Sequence, residues 1–344
     1  MVRARPPARV LAGALAAAAL LGACGSSGAS SSAGADSASE PVAPSTRSFT
    51  HAFGTSEIPT QPERVVTTTD QNALLPLLEV GYTPVGSAGL VDEESGEQIF
   101  RRTDGFDTGD VTFVGAYGEP NVEAIAALEP DLIVGYEYDA DYADQLEAVA
   151  PFVGIQVFGR RLSEALLDFA DVVGKRDVAE ALQAEYDARI ADVRERIDAA
   201  HPDLTVSIVA PDVGQVYLGD EGQAIGTVAY DLDLGRPKAQ ADADRLGGSF
   251  TDGLSLELIE QWDADVVIVL DFGGDAAAGG YDPATTAFLE SPLVQRLQAA
   301  KRDQLVVVDG SRTVGAAWVR MHAFLDDLEE VLLADDLVST GVNG

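Results

Sequence analysis

Asn121-Val-Glu-Ala-Ile-Ala-Ala-Leu-Glu-Pro-Asp-Leu-Ile-Val134 aligns without a gap on Ser255-Leu-Glu-Leu-Ile-Glu-Gln-Trp-Asp-Ala-Asp-Val-Val-Ile268. Each copy spells the same local structure. Asn121 or Ser255 is suited to cap a helix start, and Glu123 or Glu257 falls in the first turn, where the helix dipole favours a carboxylate. Ile125 and Leu128, or Ile259 and Trp262, recur at helical spacing as a buried stripe. Asp131 or Asp265 then precedes a wholly apolar strand. Such a strand is buried on both faces, which is the mark of a mainly parallel sheet flanked by helices. Two copies in equivalent places predict two α/β lobes of similar build.

Outward from these copies the same alternation continues. Before the first copy, 64–68 reads as a buried strand, 72–80 as a helix closed by Gly81, and the segment from Thr83 as a further strand. After it, a helix is predicted over 142–149 and a strand over 154–158. The middle is helical in period over 162–173 and 177–199, with charge pairs such as Glu185 and Arg189 four residues apart. A helix over 177–199 would be about 34 Å long, the width of a small domain, and we read it as a strut between the lobes. Strands over 205–210, 216–218, 265–270 and 304–308 alternate with helices over 224–231, 255–262, 284–290 and 317–333. The predicted fold is thus α/β: two lobes of mainly parallel sheet flanked by helices, joined by one long helix, with a cleft between them. A single stiff helix permits modest lobe rotation, so the cleft should be nearly preformed.

The N-terminus has a different character. Arg3, Arg5 and Arg9 precede an apolar run ending at Ala23, and no acid appears before Asp36. The run is shorter than the roughly 20 residues of a spanning helix, so residues 1–23 read as a secretory signal. It ends in Leu21-Gly22-Ala23-Cys24, which resembles the bacterial lipobox, whose cysteine is acylated as the mature N-terminus. An uncleaved anchor or an ordinary signal with an incidental cysteine is the plainer alternative. Cys24 is the sole cysteine, so no internal disulfide forms. Residues 24–48, nearly all small or polar, read as a disordered tether. The boundaries that follow are 49–161 for the first lobe, 162–201 for the linking helices and 202–344 for the second lobe. Net charge is −35, and removal of the three signal arginines takes it to −38. That charge argues against nucleic acid as a partner, and against membrane attachment through a basic patch.

Pro62-Glu-Arg-Val-Val66, Leu78-Glu-Val-Gly-Tyr-Thr-Pro-Val-Gly86, Glu119-Pro-Asn-Val-Glu-Ala-Ile-Ala-Ala-Leu-Glu-Pro-Asp-Leu-Ile-Val-Gly135, the start Leu256-Glu257 and Arg302-Asp-Gln-Leu-Val-Val-Val-Asp309 occur in this order. In that combination the chain resembles the iron-siderophore, haem and cobalamin group of ABC-importer substrate-binding proteins. The resemblance implies a lipid-anchored, monomeric receptor on the extracytoplasmic face of the membrane, capturing a ferric siderophore and delivering it to a permease. Haem or cobalamin is the alternative cargo. Iron would arrive within the chelate, leaving no resident cofactor. The resemblance also implies that Glu123 and Glu257, one per lobe, pair with permease arginines. The plainer reading keeps both as helix-dipole partners.

In this family the ligand sits between the lobes, at loops that follow the carboxyl ends of strands. By position the ligand-binding candidates are Tyr117, Tyr136, Tyr138, Arg160 and Arg161 from the first lobe, and Tyr217, Arg312, Trp318 and Arg320 from the second. Aromatic rings offer flat walls to a bulky chelate, and arginines donate to chelate oxygens. Packing residues and surface ion pairs are the plainer alternatives for each. Hydroxamate-binding relatives often carry an arginine near the position of Tyr117, and this chain does not. His51, His201 and His322 are scattered, which argues against a multi-histidine metal site; the acidic run from Asp92 lacks the spacing of a calcium loop. No nucleophile elbow, phosphate loop or dinucleotide fingerprint appears. An extracytoplasmic enzyme with cleft acids such as Asp70 or Glu137 remains the competing class on this scaffold.

Overall fold

The computed structural model describes residues 45–92, 95–217, 223–237, 240, 254–273, 280–335 and 337. Cys24, the signal segment and nearly all of the tether lie outside them. The described chain opens with a hairpin, β1 (Thr46–His51) and β2 (Gly54–Pro59), paired antiparallel. The alternation of buried Phe49, Ser56 and Ile58 with exposed neighbours signals half-buried strands. Regular structure therefore begins at Thr46, inside the segment read from sequence as tether.

The first lobe is built on β3 (Val65–Thr67), β4 (Gly86–Val91), β5 (Gln98–Ile99), β6 (Thr112–Ala116), β7 (Glu119–Pro120), β8 (Leu132–Tyr136) and β9 (Phe152–Ile155). The strand order is β7-β6-β4-β3-β8-β9, with β5 added to β4. Its central pairs, β6-β4, β4-β3, β3-β8 and β8-β9, are parallel. The second lobe uses β10 (Val206–Asp212), β11 (Gln215–Tyr217), β12 (Leu254–Ser255), β13 (Val266–Asp271) and β14 (Leu305–Asp309) in the order β12-β11-β10-β13-β14. Here β10-β13 and β13-β14 are parallel.

The wholly apolar strands serve two cores at once. Val65 and Leu132 enter a large cluster on one face of the first sheet, while Val66 and Ile133 enter a smaller one on the other. Ile208, Val266 and Ile268 face the large cluster from the second lobe, and Val209, Val267 and Val269 face the opposite side. The large cluster is continuous from lobe to lobe through the linking helix Arg176–Ala200, which buries Ala179, Tyr186, Ile190, Val193 and Ile197. Its 25 residues span about 37 Å. A second helix, Trp318–Leu332, lies against it, held by Arg189 to Asp326 at 2.8 Å and to Glu329 at 2.6 Å.

The repeated segments have one further role in common. The Asp131 carboxylate accepts the N–H groups of Glu63 at 2.7 Å and Arg64 at 3.0 Å, at the entrance to β3. Asp265 accepts the N–H of Thr205 at 3.1 Å and its hydroxyl at 3.0 Å, at the entrance to β10. Each aspartate thus fixes where the neighbouring parallel strand begins. The caps are present as well: Asn121 Oδ1 accepts from Ala124 N at 3.0 Å, and Ser255 Oγ from Glu257 N at 3.3 Å.

Two expected helices differ in winding. The helix expected over 72–80 opens as a π-helix, Asp70–Leu74, and turns α-helical over Leu75–Glu79. Pro76 has no N–H with which to close an α-type bond to the carbonyl of Asn72, so the opening turns use the wider spacing. The second repeat folds as the 3-10 helix Leu256–Trp262. Among the described residues no helix is long and apolar enough to cross a membrane.

Candidate ligand cleft between the lobes

A cavity of about 210 Å³ lies between the lobes, at the carboxyl ends of four parallel strands. Gln71 and Asn72 follow β3, and Val157 and Phe158 follow β9. Phe272 follows β13, and Thr313 to Ala316 lie beyond β14, with Gln223 completing the second-lobe wall. The strand expected over 154–158 ends at Ile155. Val157 and Phe158 thereby leave the sheet and become cleft wall. Gly310 makes room for Phe272: a Cβ there would stand 2.9 Å from the ring. Gly315, at φ +106°, carries the second-lobe backbone against the first lobe, where a Cβ would meet Leu75 at 3.0 Å and the Gln71 carbonyl at 3.2 Å. The adjoining Ala316 N–H donates to that carbonyl at 2.9 Å.

From Phe158 an aromatic surface runs across the first lobe. Tyr138 stacks on Phe158 with centroids 5.2 Å apart, and its other edge meets Tyr136 at 5.3 Å. The Tyr136 and Tyr117 hydroxyls lie 2.9 Å apart. Tyr138 is 55 % exposed and Tyr117 44 %, whereas Tyr136 is buried. Burial, and then the hydrogen bond with Tyr117, push the Tyr136 phenol upward, so it stays protonated. Above the Tyr117 ring, 4.9 Å from its centroid, sits the Arg101 guanidinium. Fully buried Asp70 holds it in place, accepting Arg101 N at 2.8 Å, Nε at 3.0 Å and Nη2 at 2.7 Å. A guanidinium has five N–H donors, more than Asp70 engages. An arginine sixteen positions before Tyr117 in the sequence is thus brought onto the aromatic surface.

The other candidates have different surroundings. Arg160 pairs with Asp168 at 2.7 Å and Glu164 at 3.5 Å, beside a separate cavity shared with His51. Arg161 lies over the Tyr230 ring at 4.3 Å and pairs with Asp231 at 3.4 Å. The Tyr217 hydroxyl accepts from Gln215 at 2.8 Å, and its ring packs on the large core. Arg312 is paired with Asp327. Trp318 corrects the expectation of an indole in the cleft. It is 1 % exposed, with Nε1 directed to Gln183 Oε1 of the linking helix at 3.4 Å, because the first turn of its helix faces the core. Arg320 bridges the lobes by donating to the Arg102 carbonyl. Burial, followed by the nearby Arg102 charge, lowers its pKa.

Three features were not read from the sequence: the Asp70–Arg101 pair, the Phe158 and Phe272 walls, and a remote helix cap. Ala317 stands at the N-cap of helix Trp318–Leu332 and offers no side-chain acceptor. The Glu79 carboxylate from the first lobe takes that place, accepting Trp318 N at 2.8 Å and Val319 N at 2.7 Å. Burial raises its pKa to about 7, against the two N–H groups and the Arg320 charge, which favour the anion. The rule that ligands bind at carboxyl ends of strands, applied strictly, points to Gln71, Phe158 and Phe272. Arg101 and Glu79 carry no such signal, because their partners are remote in sequence.

Glu123 and Glu257 are both exposed, each in the first turn of its repeat helix. His51 bonds Ser56 at 3.0 Å, and His322 stands edge-on to Tyr186 at 5.8 Å. Among the described residues no group of three or more His, Cys, Asp or Glu is placed to hold a metal ion.

Residues 65–311 match the family model described as Periplasmic binding protein. The chain is 31 % identical over 302 residues to the probable siderophore-binding lipoprotein YfiY of Bacillus subtilis, covering 86 % of this chain and 91 % of that one. It is 27 % identical to the iron(3+)-hydroxamate-binding protein FhuD of the same organism, covering 79 % and 82 %. Among solved structures, Staphylococcus aureus SirA complexed with staphyloferrin B superimposes with a TM-score of 0.71 at 27 % identity, over 85 % of this chain and 100 % of that one.

Proposed function

The chain belongs to the periplasmic binding protein family, and from that premise we propose that it captures a ferric siderophore between its lobes and delivers it to the permease of an ABC importer. The observation that carries this reading is the cleft itself. It lies at strand carboxyl ends and is walled by Phe158 and Phe272, and the Tyr138, Tyr136, Tyr117 and Arg101 surface runs on from Phe158. Flat rings suit the faces of a bulky chelate, while phenols and a fixed guanidinium suit its oxygens. Iron enters as part of the cargo, and the cargo leaves chemically unchanged. Acylated Cys24 anchors the monomer outside the cell membrane, and Glu123 and Glu257 meet arginines of the permease, one from each lobe.

Intrinsic fluorescence titration of the soluble body, begun after Cys24, tests the cargo. The panel is ferric hydroxamates, ferric catecholates, ferric citrate, haem and cobalamin, with metal-free chelators as controls. Saturable quenching by one ferric class, with the chelate recovered intact, is the expected result. Response to haem or cobalamin alone would overturn the siderophore assignment.

A further inference from the structure

The second lobe carries a groove distinct from the cleft, about 600 Å³ in volume. Asp212 at the end of β10, Val213 in the turn after it and Leu256 form one wall; the helix Pro283–Glu290 forms the other through Ala287 and Glu290, with buried Phe288 as floor. Val213 stands 86 % exposed at the lip. An aliphatic side chain that open to water gains free energy when a partner covers it. Among the described residues the charged groups lining it, Asp212 and Glu290, are acids, so the groove favours an occupant that is apolar and basic together. Anionic lipid headgroups are repelled by the same charges. The groove's position names the partner: Leu256 lies inside it, and the next residues, Glu257 and Leu258, are exposed on the same 3-10 helix. The groove thus borders the first turn of the helix that carries Glu257.

We propose that this groove is the second-lobe extension of the permease-docking face and receives a permease segment bearing apolar and basic side chains. The proposal rests on the docking role assigned above to Glu257. Cys24 is the only cysteine, so Val213→Cys and Leu258→Cys, made separately in the full-length chain, each offer one new thiol for a photoactivatable maleimide. After illumination on iron-limited cells, mass spectrometry identifies the adducts. Both thiols are expected to capture the permease. Val213→Asp should cut the Leu258-derived adduct about tenfold, the scale set by one buried aliphatic side chain, and leave chelate titration unchanged. If Leu258 captures the permease while Val213 captures lipid or a second copy, or if Val213→Asp leaves the yield intact, the groove is refuted and the docking role stands. If neither thiol captures the permease, the docking role fails and the groove with it.

Discussion

Replacing Glu79 by glutamine should change how stability depends on pH, in a direction opposite to that of an ordinary salt-bridged acid. The carboxyl has an unperturbed pKa of 4.5, raised by burial to about 7. The folded state therefore holds the proton more tightly than the unfolded chain. The sign follows from linkage: Glu79's contribution is fully present below about pH 4.5 and is lost as pH rises to about 7. A displacement of that size corresponds to about 3 kcal/mol. The substituted amide cannot ionise, yet its carbonyl oxygen can still accept an N–H from Trp318 or Val319. Urea unfolding of the soluble body and of Glu79→Gln, measured from about pH 4.5 to about pH 8, isolates the effect, because the large negative charge is common to both. Near the acid end the two should be close. At the alkaline end the parent should have lost about 3 kcal/mol relative to the variant. Parallel curves, or a variant that loses ground as pH rises, would show that the two N–H groups outweigh burial and would refute the reasoning.

Arg101→Ala should weaken chelate binding about tenfold, read by the same titration, and also lower stability by roughly 3 kcal/mol in urea, because it leaves the fully buried Asp70 carboxylate without its cationic partner. Asp70→Asn should match that loss of affinity and also lower stability by about 2 to 3 kcal/mol in urea, because it removes the partner that three Arg101 nitrogens share. Gly310→Val should push the Phe272 ring from its place and reduce affinity while the circular dichroism spectrum stays native. Glu123→Ala combined with Glu257→Ala should abolish uptake and leave chelate affinity intact; uptake that survives would remove the docking role. X-ray scattering profiles of apo and loaded protein should nearly coincide, since the lobes share one core and are braced at the Trp318 helix as well as by the linking helix.

The repeat made the fold legible because its information is local: capping side chain, stripe and apolar strand lie within fourteen residues, and both copies fold in place. The linking helix was legible for the same reason, through its spacing and charge pairs. The hairpin Thr46–Pro59 was not, because its short strands of mixed polarity become half-buried only against the first lobe. The positions of Tyr136 and Tyr138 could be read because one closes the apolar strand β8 and the other follows it closely. Arginines were the poorest guide: Arg160, Arg161 and Arg312 find carboxylates near at hand in so acidic a chain. The arginine on the aromatic surface, Arg101, is placed by an aspartate 31 residues away. Trp318 misled because a large aromatic at a helix start serves a core as readily as a cleft.

The N-terminal hairpin occupies the border of the first sheet beyond β9. Ala52 N–H donates to the Gly154 carbonyl at 2.9 Å, Ser56 hydroxyl to the Phe152 carbonyl at 3.2 Å, and the Phe53 ring stacks on Phe152 over Gly154, where a Cβ would stand 2.3 Å from it. A bare border strand is a template on which further chains polymerise. Truncations starting beyond Pro59 would expose that template, so their self-assembly into strand-linked aggregates would be a fault of the cut and not a property of the whole chain.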